Sequence, residues 1–268
     1  MKFKILFGIF NSIIVLAFLA ILLLPVFLVG FDYALAFWQG NWALVLVFLL
    51  VLAGVNVYFI RNWKLFSLLE QENWSALKQY LAREILERGR MGRQKVQLLM
   101  HSAVLTGDMG MVERLETRLR EVKPALAARF AADFSLPHLL SAKPDRILAF
   151  VETYLPEVSK DTAEWLKFSR GFALTLSNKP AAAKQALFDC VQTTRNDVVV
   201  AIASYLIQRL PLESSDEEIA VVREADRRIR QQYDREQWRK LVEQESRHIH
   251  ILAFRSLLND AESNLYGS

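Results

Sequence analysis

The sequence predicts an all-α protein: two N-terminal transmembrane helices, then an α-solenoid of stacked helix pairs, then C-terminal capping helices. Three observations predict it. From Ile5 to Ile60 the only formally charged side chain is Asp32, a run far more apolar than a soluble domain needs. After Arg61 charges are dense and apolar residues recur at three- and four-residue steps, the pattern of helices around a core. Helix-start signals then recur at Asn73, Asp108, Lys143 and Lys179, spaced by 35, 35 and 36 residues, as in repeat architectures. The expected organisation is a hairpin over 1–64, helical repeats over 65–211 and a charged helical segment over 212–268.

The hairpin comes first. Spans 5–29 and 42–60 each reach the ~20 helical residues needed to cross a hydrocarbon core of ~30 Å. Trp38 and Trp42 flank the connector between them and Tyr33 lies in it, where amphipathic rings favour the lipid–water interface. Lys2 and Lys4 precede the first span and Arg61 and Lys64 follow the second, so both termini are expected on the cytoplasmic side of a bacterial inner (plasma) membrane. Ala34-Leu35-Ala36 resembles a signal-peptide cleavage site, but the apolar run before it is longer than such peptides carry. Gly8 and Ser12 form a small-residue step, and with Asn11 and Asn56 they are expected to serve intramembrane helix packing.

Each repeat junction closes one helix and opens the next. The words are Leu68-Leu69-Glu70-Gln71-Glu72-Asn73-Trp74, Val104-Leu105-Thr106-Gly107-Asp108-Met109, Leu139-Leu140-Ser141-Ala142-Lys143-Pro144 and Leu176-Ser177-Asn178-Lys179-Pro180. Asn73 and Asp108 offer capping oxygens, while Pro144 and Pro180 occupy a first helical position whose amide has no intrahelical partner. Laid over one another, the units give four apolar quartets: Leu77, Val112, Ile147, Ala183; Tyr80, Leu115, Phe150, Ala186; Val96, Ala131, Leu166, Ile202; and Val104, Leu139, Leu174, Leu210. Pro137, inside the second unit, predicts a kink or an early helix end.

This pattern over about residues 73–210 resembles the tetratricopeptide family, whose helix pairs of about 34 residues stack into a superhelix. Trp74 and Leu77 match the family's opening residues, whereas Lys78 stands where glycine is usual. The resemblance implies a protein-binding solenoid. The layout of two spans followed by helical repeats is similar to that of HemY-like inner-membrane proteins, a likeness of layout that transfers no activity.

Beyond Pro211, Ser214 and Ser215 precede Glu217 and Glu218 by three residues, which predicts a capping box and a helix. Ile219, Val222 and Ile229, then Trp238, Leu241, Val242, Ile249 and Leu252, form its apolar stripe, with a break near Tyr233-Asp234-Arg235. Capping helices that seal the last repeat are expected, with a partner-binding or dimerising helix as the alternative.

Little in the chain points to chemistry. A single cysteine, Cys190, excludes an internal disulfide and falls in an apolar helical pattern, where thiols are inert. Net charge is +4, from 33 basic and 29 acidic residues, too balanced for a nucleic-acid partner. The histidines are His101, His138, His248 and His250; two residues apart on a helix, the last two point apart, so no metal site is expected. With 10 glycines and no phosphate loop or nucleophile elbow, no catalytic residue and no cofactor are expected. Arg88, Arg90, Arg93 and Lys95 form a basic cluster that predicts contact with anionic headgroups, set against a solvated turn neutralised by Glu84 and Glu87. The expected function is a non-enzymatic, membrane-anchored scaffold or adaptor that binds protein partners through its cytoplasmic helical-repeat domain, with homo-oligomers open. The alternative is an accessory subunit of a membrane transport, secretion or envelope-assembly complex, contacting it through the hairpin. An enzyme or ligand sensor whose site is assembled across repeats is a third reading.

Overall fold

The computed structural model describes residues 2–213 and 215–267. It is 85% helical, with no strand among the described residues. Ser214 and the side chains of Lys2, Lys4 and Tyr33, which entered the readings of helix start, orientation and interface, lie outside the described residues. The chain forms two compact units, Met1–Arg83 and Glu84–Ser268.

The first unit holds α1 (Lys2–Val29), α2 (Phe31–Glu70) and α3 (Trp74–Ala82). The connector expected between the spans is a single residue. Gly30, at φ 88°, reverses the chain alone, a conformation open to glycine because it has no Cβ. Residues 31–41 are helical, and α2 bends at Asn41 (φ −117°, ψ 18°) without breaking. Nothing from Phe31 onward stops the helix, so it runs 40 residues, about 60 Å at the standard rise, and carries the first unit past the expected boundary at 64. Phe7–Leu28 and Ala34–Glu70 each have a mean hydropathy of 2.7 and are long enough to cross a membrane. Their seam is aromatic: Phe18 stacks on Phe48 at 4.2 Å and Phe7 meets Phe59 at 5.2 Å. Trp38 Nε1 donates to the Leu22 carbonyl at 3.0 Å.

The second unit follows a π-helical turn at Arg83–Glu87 and contains α4 (Arg93–Leu105), α5 (Met109–Val122), three short helices α6 (Pro124–Arg129), α7 (Ala131–Phe134) and α8 (Leu136–Leu140), then α9 (Pro144–Tyr154), α10 (Lys160–Leu176), α11 (Pro180–Thr193) and α12 (Asp197–Arg209). Helices begin at Trp74, Met109, Pro144 and Pro180, one residue after each expected start signal. The four junctions share one device. Glu72, Gly107, Ala142 and Asn178 all adopt left-handed φ, between 49° and 69°. At three of them the next amide reaches back to a carbonyl of the closing helix: Asn73 to Leu68, Asp108 to Ala103 and Lys179 to Leu174, at 2.8–3.2 Å. This is the Schellman arrangement that satisfies orphan helix-end carbonyls. The quartets Leu77, Val112, Ile147, Ala183 and Val96, Ala131, Leu166, Ile202 are wholly buried; the other two mix buried with half-buried members.

The regular pairing lapses over 124–140, where Pro124 and Pro137 each open a new short helix and divide what periodicity alone reads as one helix. It returns with α9 to α12. There α10 and α11 approach closely enough that a Cβ on Gly171 would lie 2.7 Å from Leu187 Cδ2.

The C-terminal segment comprises α13 (Asp216–Gln232), α14 (Arg235–Glu245), a 3-10 turn (Ile249–Phe254) and α15 (Arg255–Tyr266). Ser215 and Glu218 form the expected capping box. The break falls at Tyr233, and a second capping box, Asp234 with Gln237, opens α14. Sealing of the last pair is only part of what this segment does. While α15 packs on α12 and α13, the 3-10 turn packs on α4, α7 and α8, so the segment runs back along the unit. Wholly buried Phe254 anchors it, with its ring 5.0–6.0 Å from those of Phe168, Phe172 and Trp165.

Candidate functional site

The returning segment builds the site. Helix α14 ends at Glu245, and His248 is extended (φ −91°, ψ 129°), so the 3-10 turn after it, Ile249–Phe254, buries His250 beside Ile249 and Ile251. On α7, Asp133 stands in a four-residue helix whose every residue is buried. Its carboxylate meets both rings: Oδ1 lies 3.0 Å from His250 Nδ1 and Oδ2 lies 3.3 Å from His248 Nδ1. The expectation that His248 and His250 point apart is therefore overturned. It assumed a continuous helix, whereas here they flank the start of a tighter turn.

Burial makes this cluster costly unless paired. His250 is 2% exposed, and its Nε2 meets no polar partner among the described residues, so its polar contact runs through Nδ1 to Asp133. Burial raises the Asp133 carboxyl, but hydrogen bonds from His248 and His250 outweigh it and hold the group below the usual carboxylate range. The Asp133 hydrogen bond raises His248. His101 approaches from α4; burial lowers its ring, opposed by the charge of Asp133 and by a hydrogen bond to the Arg247 backbone.

A cavity of about 380 Å³ opens beside the cluster, walled by Asp133, His248, His250, Trp165, Glu245 and Arg129 among others. Some of its polar wall already has structural duties. Glu164 accepts from the amides of Arg195 and Asn196 at 3.0 and 3.1 Å, and Glu245 accepts from Trp165 Nε1 at 3.2 Å.

The family described as "Uncharacterised Treponema protein" matches residues 111–267. The chain belongs to this family. The matched region takes in Asp133, His248 and His250, so the Treponema family's shared part contains the whole cluster. A relative is an uncharacterised protein of Treponema pallidum (strain Nichols), 26% identical over 235 residues, which cover 82% of this chain and 74% of that protein. No solved structure matches the chain.

The residues singled out from this Treponema-family sequence lie elsewhere. Arg88, Arg90 and Lys95 converge on Glu84, at 2.6, 3.3 and 3.1 Å; Glu84 is 2% exposed and engages three of the four cations. Arg93 instead lies where its charge acts on His248. In the hairpin, Asn11 and Asn56 each donate to the carbonyl four residues back, Phe7 and Leu52, at 2.9 Å. Gly8 and Ser12 are exposed, and a Cβ on Gly8 would meet nothing within 4 Å, so this step faces away from the seam between α1 and α2. Cys190 is buried, and burial pushes its thiol up to about 12. Sequence reasoning missed Asp133, because no local pattern ties it to a turn 115 residues away. A faint signal for that turn exists in the apolar run from Ile249 to Phe254, interrupted only by His250.

Proposed function

We propose that this chain is an integral-membrane scaffold, its hairpin crossing the bacterial inner membrane and its helical domain recruiting protein partners on the cytoplasmic side. The observation that carries the reading is the contrast between surfaces. Along α1 and α2 large apolar side chains such as Leu16, Phe27, Leu44, Leu50 and Ile60 are exposed, which is stable in lipid and costly in water. The second unit buries its apolar residues in a core and presents charge. The left-handed turns at 72, 107, 142 and 178 and the two buried quartets support treating the domain as a degenerate, tetratricopeptide-like solenoid. A groove of about 660 Å³ between α14 and α15 is lined by Val242, Ile251 and Leu252 and by Arg235 and Arg239, both paired to Glu262, and supplies the mixed charged and apolar surface that a peptide-binding scaffold needs.

The outward-facing Gly8 and Ser12 favour a second reading, in which the hairpin packs on helices of a larger transport, secretion or envelope-assembly complex. In-cell crosslinking separates the two, using the full-length chain beside one whose hairpin is exchanged for an unrelated apolar pair. A scaffold yields the same specific partner from both chains. Partners lost on exchange contradict the scaffold and support the complex.

A further inference from the structure

We propose that Asp133, His248 and His250 form a binding site for one divalent transition-metal ion, open toward the adjoining cavity. The inference stands on the second unit alone and needs neither the membrane nor the scaffold reading.

Three potential ligand atoms, a carboxylate oxygen and one nitrogen from each imidazole, lie within 4.8 Å of one another. Ligands about 2.1 Å from a tetrahedral or octahedral ion stand roughly 3.0–3.4 Å apart; here one oxygen of Asp133 lies 3.0 Å from His250 Nδ1 and its other oxygen 3.3 Å from His248 Nδ1. Metal uptake replaces these two hydrogen bonds: the Asp133 carboxylate binds through both oxygens or turns to offer one, and half-exposed His248 supplies the movement that brings ligand atoms already within 4.8 Å of one another to coordination spacing. Two imidazoles and one carboxylate are the donor set of borderline ions such as Zn²⁺, Co²⁺, Ni²⁺ and Fe²⁺, and are unlike the all-oxygen cages of Ca²⁺ and Mg²⁺. Asp133 and His250 are held in place by burial, at 5% and 2% exposure. The His248 side chain is 54% exposed and lines the cavity with the other two, leaving remaining coordination positions for water or a small ligand. Charge is mixed at the mouth: Asp161, Glu164 and Glu245 attract a cation, Arg129 and Arg195 oppose it. Affinity must therefore come from the three ligands rather than from a diffuse acidic field.

The test uses the full-length chain, purified in detergent without a polyhistidine tag and stripped with chelator. Titration with Co²⁺ is followed by its visible ligand-field bands, then by displacement with Zn²⁺. One equivalent of saturable Co²⁺, bleached by Zn²⁺, is expected. His248→Ala, at a half-exposed position, is expected to weaken binding at least about tenfold, the low end of what a residue that only supports a ligand contributes. His138→Ala, whose ring lies on Phe150, is the control and binds as the parent does. Absence of saturable binding by the folded chain, or equal affinity in His248→Ala and the parent, overturns the proposal and leaves the three side chains as a hydrogen-bonded latch.

Discussion

Asp133 and His250, 117 residues apart in sequence, meet at 3.0 Å in the interior of the second unit. This contact fastens the returning C-terminal turn to α7. Asp133→Asn removes a charge-assisted partner from a buried ring, at a cost of about 1–3 kcal/mol. Denaturant unfolding of the full chain is expected to show that loss, with faster amide exchange concentrated over residues 249–254. Unchanged exchange there contradicts the latch.

Ala142 holds a left-handed φ of 49° at a junction where Gly107 does the same work at 69°. Ala142→Gly is expected to raise stability by about 0.5–1 kcal/mol, because glycine reaches this region without a Cβ penalty. Gly107→Ala is expected to lower it by a similar amount. Thermal melts of the pair check both signs.

Gly171 stands where α10 meets α11, against Leu187, which is wholly buried. Gly171→Ala places a methyl group 2.7 Å from Leu187 Cδ2, and a side chain packed on all sides has nowhere to go. A loss of about 1–3 kcal/mol is expected from overpacking. Partial recovery in the double variant Gly171→Ala, Leu187→Val identifies the clash.

Glu84 ties an acid transition to a named group. Burial raises its carboxyl, yet hydrogen bonds from Lys95, Arg88 and Arg90 bring it down from 4.5 to about 2. A carboxyl depressed on folding adds stability above its unfolded value that is lost as pH falls toward its folded one. The loss therefore runs from about pH 4.5 to about pH 2. Because Arg88 and Arg90 are 56% and 61% exposed, screening holds the contribution to about 1 kcal/mol. Glu84→Gln is expected to flatten that limb of the pH–stability curve and to lower the plateau above it by about the same 1 kcal/mol.

Cys190 is expected to resist alkylation in the native chain at ~pH 8, since the thiolate is the reactive species and burial keeps the thiol protonated. Full reaction on denaturation, with little before it, is the expected time course.

The sequence makes the helix starts legible because caps and first-turn prolines are local chemistry: Asn73, Asp108, Pro144 and Pro180 each act within three residues of themselves. The quartets follow from helical periodicity, and two of the four are wholly buried. Length of the second apolar helix was less legible, since charges at Arg61 and Lys64 end the apolar run without ending a helix. The Asp133 cluster was illegible, because its geometry depends on a 3-10 turn and on a return across the unit that apolar counting does not encode. The basic cluster was read by charge alone; Glu84 was visible as a neighbour, but its burial was not.

The central claim is that the two long helices cross the membrane as a hairpin with the helical domain on the cytoplasmic side. Buried Cys190 leaves a silent background for cysteine labelling, so single cysteines are placed at Asp32, beside the Gly30 turn, and at Glu243 on the exposed face of α14. Intact bacterial spheroplasts expressing each full-length variant are treated with a membrane-impermeant maleimide before and after permeabilisation. The account predicts that the cysteine at 32 labels at once and the cysteine at 243 only after permeabilisation. Labelling of both positions in intact spheroplasts contradicts it.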